Sequence, residues 1–146
     1  MLAGKKVLVT GAAGFIGVNL IQRLLRTEVA AIRGTLHVHD AVCADPRLEY
    51  VRGDLTTPEA CAAACAGMDC LFICSAVTSG AAVMEKTPLC HLTPNVVMNA
   101  RLLEAAYAAG VKKVLFVSSN TVYPVADTPM AEGDCVNVFF DKYHII

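Results

Sequence analysis

Gly11, Gly14 and Gly17 are spaced as GxxGxxG, directly between the aliphatic residues 6–10 and a segment, 16–26, with apolar residues at helical spacing. In such a place the first glycine permits a tight turn. The second lets backbone N–H groups approach a phosphate, and the third lets a helix pack closely on a strand. The unpaired N–H groups and dipole of the helix start then attract an anion without a basic side chain, so the loop is suited to the pyrophosphate of a dinucleotide. Phe15 and Ile16 fall in the first turn beside it. A plain glycine turn joining strand to helix is the alternative, and the strand–loop–helix context tells against it. An NTPase phosphate loop is excluded, because no Gly-Lys-Ser/Thr follows.

The elements that must position this loop follow from periodicity. Residues 6–10 read as a first strand, and 16–26 as a helix through Leu20, Ile21, Leu24 and Leu25. Residues 30–38 form a candidate second strand weakened by Gly34, and 49–52 a short third. Pro58 opens an alanine-rich helix to Ala66 that Gly67 closes. Residues 70–74 (CLFIC) are apolar throughout, as expected of a parallel strand covered on both faces. The spacing predicts a helix over 95–109, with Val96, Ala100, Leu103 and Tyr107 on its apolar stripe and Gly110 as terminator. Residues 113–117 (KVLFV) are the fifth strand. Alternation of strand and helix points to a doubly wound parallel α/β sheet. Beyond Tyr123 the pattern weakens at Pro124 and Pro129, and the chain stops at Ile145-Ile146 without a capping residue, as if cut short.

Composition narrows the function classes. The 146 residues are 55% apolar and 17% charged, which suits one domain with a substantial core. A net charge of −1 with scattered Lys and Arg argues against nucleic acid or anionic lipid as partner. Lys5 and Lys6 ahead of Val7, Leu8 and Val9 resemble the start of an export signal, but the three glycines interrupt it. No apolar run of about 18 residues is present. A cytoplasmic chain is expected, and its seven cysteines read as reduced thiols. Cys61 with Cys65, and Cys70 with Cys74, lack the spacing of a zinc or redox pair, so no metal is expected.

TGAAGFIG at 10–17, GDL at 53–55 and SSNTVYP at 118–124 appear in order along the chain. Together they resemble the extended short-chain dehydrogenases/reductases, and within them the NAD-dependent epimerase/dehydratase branch, which reworks nucleotide-activated sugars. The resemblance implies a Rossmann fold over residues 1–146, ending before the last strand and the substrate domain. It also implies NAD or NADP as cofactor, a nucleotide sugar as substrate and pairing of two copies through the long helix. The same loop occurs in reductases of flavonoids, steroids and quinones, so the fold leaves the substrate open.

By the same resemblance Asp54 accepts from the adenine amino group, with Leu55 beside it, although an acid closing a strand is the plain alternative. Ser75 and Ala76 would pass beneath the cofactor after the fourth strand. Thr78, Ser79 and Gly80 would border the substrate. An acid ending the second strand would select NAD through the ribose 2′-hydroxyl, whereas a basic residue would admit the phosphate of NADP. Asp40 lies 23 residues beyond Gly17 and suits NAD; His37 lies at 20 and competes for the selecting position. Ser119 takes the place of the Ser/Thr that hydrogen-bonds the reacting oxygen. Tyr143 matches the base of YxxxK, whose lysine would be residue 147. Tyr123 reads as structural. Asn95 matches an orienting asparagine, yet after Pro94 it also reads as a helix start. His91 and His144 lack a partner at diagnostic spacing, so packing or surface roles are expected.

Two readings follow. The intact protein is an epimerase, dehydratase or reductase in which Ser119 polarises the substrate oxygen, Tyr143 exchanges its proton and the nicotinamide takes hydride. Alternatively, the chain is a dinucleotide-binding module, inactive on its own because it lacks the lysine, the sixth strand and a substrate domain.

Overall fold

The computed structural model describes residues 2–79, 83, 86, 87, 89–119, 123 and 127–134. They belong to two compact units, one built from Met1–Ala76 with Val96–Val117 and one from Val77–Asn95 with Ser118–Ile146.

The first unit is a five-stranded parallel sheet. Its strands are β1 (Lys6–Val9), β2 (Ala31–Leu36), β3 (Leu48–Arg52), β4 (Cys70–Ile73) and β5 (Lys113–Phe116), in the order β3-β2-β1-β4-β5. This is the doubly wound Rossmann arrangement, and its direction reverses between β1 and β4, the switch point at whose carboxyl ends folds of this class bind their ligands. The connecting helices are α1 (Phe15–Leu24), α2 (Pro58–Cys65) and α3 (Leu89–Ala108).

Alternation along β1 divides the core. Val7 and Val9 join Ile21, Leu24, Val29 and Ile32 on the α1 side, while Leu8 joins Cys61, Cys65, Leu71, Leu102 and Ala106 on the other. Both faces of β1 are therefore covered, which is why the strand reads as an unbroken aliphatic run. Thr57 caps α2 with its side chain on the Ala60 N–H, and Pro58 fills the first turn, where no amide hydrogen is needed. At the other end Arg33 donates to the carbonyls of Ala63, Ala64 and Ala66 and pairs with Glu49. One guanidinium thus serves the carbonyls left open where α2 stops.

Gly34 is a packing requirement. A Cβ there would lie 2.7 Å from the Ala12 Cβ and 2.8 Å from the Tyr50 ring. Its bareness lets the glycine loop settle against β2.

Three expectations are corrected. The long helix begins at Leu89, not Asn95, and carries Pro94 inside it. Pro94 falls just past the first turn, where its ring removes only the bond to the Cys90 carbonyl, so the helix continues through it. The stripe that α3 buries is Met98, Leu102 and Ala106. The expected stripe faces outward, with Val96, Leu103 and Tyr107 at 57%, 51% and 89% exposure. This helix is apolar on nearly every side, so periodicity alone could not select its inner face. The second strand is also shorter than expected, ending at Leu36.

Of the described cysteines, Cys43, Cys61, Cys65, Cys70, Cys74 and Cys90 are free thiols. Burial pushes the Cys65 thiol up to about 11, so it behaves as a small apolar core residue. No helix among the described residues is long and apolar enough to cross a membrane.

Candidate dinucleotide site

The site at the carboxyl end of β1 is built by the glycine loop. Gly11 has φ +66°, and a Cβ there would lie 2.9 Å from the Ser75 Cα, so both conformation and space demand glycine. Its N–H donates to Thr35 Oγ1 at 3.1 Å, and the next N–H, of Ala12, donates to the Thr35 carbonyl at 3.0 Å. These two bonds tie the loop to the end of β2. Gly17 holds the other side, since a Cβ on it would overlap the Gly11 carbonyl oxygen. Gly14 is different in kind. It is the exposed N-cap of α1, in ordinary extended conformation, and a Cβ on it would meet only the Gly11 oxygen, at 3.2 Å.

The start of α1 is accordingly open. No side chain caps it, no acid occupies its first turn, and Phe15 and Ile16 project outward, Phe15 at 86% exposure. Uncapped N–H groups at the positive end of a helix, with no competing carboxylate and a glycine for close approach, suit a pyrophosphate. The residues present therefore fit the dinucleotide that the loop implies.

Thr10 completes the site and was not among the residues that the sequence singled out. Its buried Oγ1 accepts from the N–H groups of Cys74 and Ser75, at 3.1 and 3.2 Å, and lies 2.8 Å from Ser75 Oγ. With both its lone pairs on amides, the Thr10 hydroxyl hydrogen points to Ser75 Oγ. One hydroxyl thereby fixes the chain after β4 beside the glycine loop and orients Ser75. Ala76 follows, exposed. The available signal was a Thr closing an aliphatic strand immediately before the loop.

Asp54 follows β3. Its Oδ1 accepts from the Thr56 backbone N–H at 2.9 Å and from Thr56 Oγ1 at 2.8 Å, and these bonds hold its carboxyl below the usual range, with a smaller contribution from His37. The exposed, ionised side chain keeps Oδ2 for a donor such as an exocyclic amine. The Leu55 side chain lies in the core, and its carbonyl receives the Cys61 thiol. A contact from Leu55 to a cofactor would therefore involve its backbone.

In the second unit Asn95 lies within α3, so it is not the helix-start residue that its place after Pro94 suggested. Its amide clamps Val77 from both sides: Oδ1 accepts the Val77 N–H at 2.8 Å, and Nδ2 donates to the Val77 carbonyl at 2.9 Å. Asn95 thus positions the segment that leaves β4. Replacing it by Asp retains the acceptor but sets a carboxylate against the Val77 carbonyl. Hydrogen exchange at the Val77 amide should accelerate roughly tenfold, as expected for one hydrogen bond of about 1.5 kcal/mol. An unchanged rate in Asn95→Asp would show that the clamp holds nothing.

Ser119 lies just beyond β5, exposed, in the second unit. His91 is buried, with Nδ1 3.2 Å from the Cys90 thiol. Tyr143 and His144 lie outside the described residues. One turn beyond Asn95, Asn99 presents a buried Oδ1 with no hydrogen-bond partner. Among the described residues no cluster of His, Cys, Asp and Glu could hold a metal ion.

Comparison with known proteins agrees with this geometry. A family model described as "NAD dependent epimerase/dehydratase family" matches residues 7–139. A 3 beta-hydroxysteroid dehydrogenase/Delta 5-->4-isomerase of Mycobacterium tuberculosis is 34% identical over 95% of this chain and 38% of its own length. The structure of MoeE5 in complex with UDP-glucose and NAD is 30% identical over 96% of this chain and 44% of that one, with a TM-score of 0.77. An epimerase of Methanothermobacter thermautotrophicus, Mth375, covers 98% of this chain and 44% of its own at 25% identity, with a TM-score of 0.82. The chain thus spans about two fifths of the length of the proteins it resembles.

Proposed function

The chain belongs to the NAD-dependent epimerase/dehydratase family, and from that premise we propose that it is the cofactor-holding part of an enzyme that moves hydride between a secondary alcohol carbon and NAD. The observation that carries this reading is the start of α1, which has the exposed Gly14 at its N-cap and no side-chain cap. The N–H groups there bind the pyrophosphate, Asp54 accepts from the adenine, and Ser75, oriented by Thr10, borders the cofactor on the β4 side. When bound, the nicotinamide accepts the hydride. Ser119 donates to the reacting oxygen of the substrate and Tyr143 takes its proton.

For the substrate, a nucleotide sugar is supported by the similarity to MoeE5, whose structure holds UDP-glucose and NAD. A 3β-hydroxysteroid is the second reading, and the 34% identity to the mycobacterial hydroxysteroid dehydrogenase favours it. The outward stripe of Val96, Leu103 and Tyr107 supports pairing of two copies along α3.

The test is to supply the full-length protein with NAD and either a 3β-hydroxysteroid or UDP-glucose. The steroid is followed by nicotinamide reduction and the sugar by product chromatography. Turnover of one substrate, lost in Ser119→Ala and Tyr143→Phe while NAD binding persists, fits the proposal. Turnover that survives both substitutions would remove Ser119 and Tyr143 from the chemistry. Binding of NAD without turnover of either class would favour the non-catalytic module.

A further inference from the structure

The group that selects between NAD and NADP is expected at the carboxyl end of β2, and no acid stands there. Thr35 turns its hydroxyl to the Gly11 N–H, Leu36 is buried in the core, and His37 is exposed. The first acid is Asp40, four residues past the strand and 94% exposed. A side chain so far along a loop would ordinarily have no fixed place.

Arg52, the last residue of β3, supplies one. Its Nη1 donates to the His37 carbonyl at 2.6 Å and reaches the His39 carbonyl at 3.5 Å, while Nη2 pairs with Asp40 Oδ1 at 2.6 Å. Pairing of the two strands continues up to this point, where the Gly53 N–H donates to the Leu36 carbonyl at 2.9 Å. A single guanidinium therefore gathers the 37–40 loop over the carboxyl edge of β2 and β3. That edge adjoins the glycine loop through Thr35.

We propose that Arg52 and Asp40 together form the cofactor selector, with Arg52 as the residue that turns a remote loop acid into a defined ribose ligand. The inference rests on the dinucleotide reading above. Asp40 spends Oδ1 on Arg52 and keeps Oδ2 for the ribose 2′-hydroxyl, and its charge opposes a 2′-phosphate. The device is reversible in sign. Without the carboxylate, the same position presents the half-exposed guanidinium of Arg52, a group suited to a phosphate.

The test is calorimetric titration of the chain with NAD⁺ and with NADP⁺, in the native form, Asp40→Asn, Arg52→Met and the double variant. The native chain should prefer NAD⁺. Asp40→Asn should gain NADP⁺ affinity by about tenfold or more, the scale of one charge-assisted bond to phosphate. That gain should vanish in the double variant, and Arg52→Met alone should weaken both cofactors. A preference ratio that Asp40→Asn leaves within about twofold of native would overturn the proposal, as would an equal NADP⁺ gain with and without Arg52. In either event retained NAD⁺ binding would leave the dinucleotide reading intact. A native chain that binds neither cofactor would remove both.

Discussion

Replacing Gly17 by Ala should weaken NAD binding on the order of a hundredfold and destabilise the chain by about 1–3 kcal/mol, the range for an overpacked core position. The atoms that an added methyl would strike are backbone: the Gly11 carbonyl oxygen and carbon, and the Ala12 Cα. None of them can swing aside as a side-chain tip would. The relief available is for α1 to move off the loop, which takes its first N–H groups away from the pyrophosphate. Two charge-assisted hydrogen bonds, each worth roughly tenfold in affinity, account for the expected loss. The conformation of Gly17 is ordinary helix, so the penalty is steric and larger residues should be worse than alanine. Calorimetric titration beside a urea unfolding curve reads both effects. Native affinity in Gly17→Ala would mean that the packing of α1 on the loop does not set the site.

The second large effect is at Thr10. Thr10→Val keeps the shape but removes the acceptor of two N–H groups and the partner of Ser75 Oγ. A partly buried donor left without a partner costs about 1–3 kcal/mol, so the two together should cost about 2–6 kcal/mol in unfolding free energy. Thr10→Ser retains the hydroxyl and should recover most of the loss. A valine variant as stable as the serine variant would show that Thr10 matters only as a filler of space. NAD affinity should fall with stability in Thr10→Val, because Ser75 and the chain after β4 lose their anchor beside the glycine loop.

What could be read in the sequence is what local chemistry determines. The glycine loop was legible because its spacing, the aliphatic strand before it and the helical pattern after it all describe one anion-binding turn. The structure gives Gly11, Gly14 and Gly17 three distinct geometries in that turn. The sheet order was legible as a class, since strands alternating with helices leave a doubly wound sheet as the short, right-handed solution. The start of α3 was not, because a Pro-Asn pair is a common helix-start signal and only the fold reveals that Pro94 lies one turn inside. Its inner face was not either, for apolar residues spread round nearly the whole helix give periodicity little to choose between. Gly34 looked like a flaw in β2 until Ala12 and Tyr50 were seen to need its space. The link from Arg52 to Asp40 joins a strand end to a loop 12 residues earlier, and no local pattern encodes it.

The most direct test of the central claim is calorimetric titration of the chain with NAD⁺, native against Gly14→Val. Gly14 has an extended backbone that valine adopts without strain, and only the Gly11 oxygen lies close to an added Cβ. The variant should therefore fold, with an unfolding midpoint near native, while its side chain fills the space through which the backbone meets the pyrophosphate. Binding in the native chain and its loss in the folded variant is the predicted result. Undiminished NAD⁺ binding by folded Gly14→Val would contradict the account, because the cofactor would then be held somewhere other than the glycine loop.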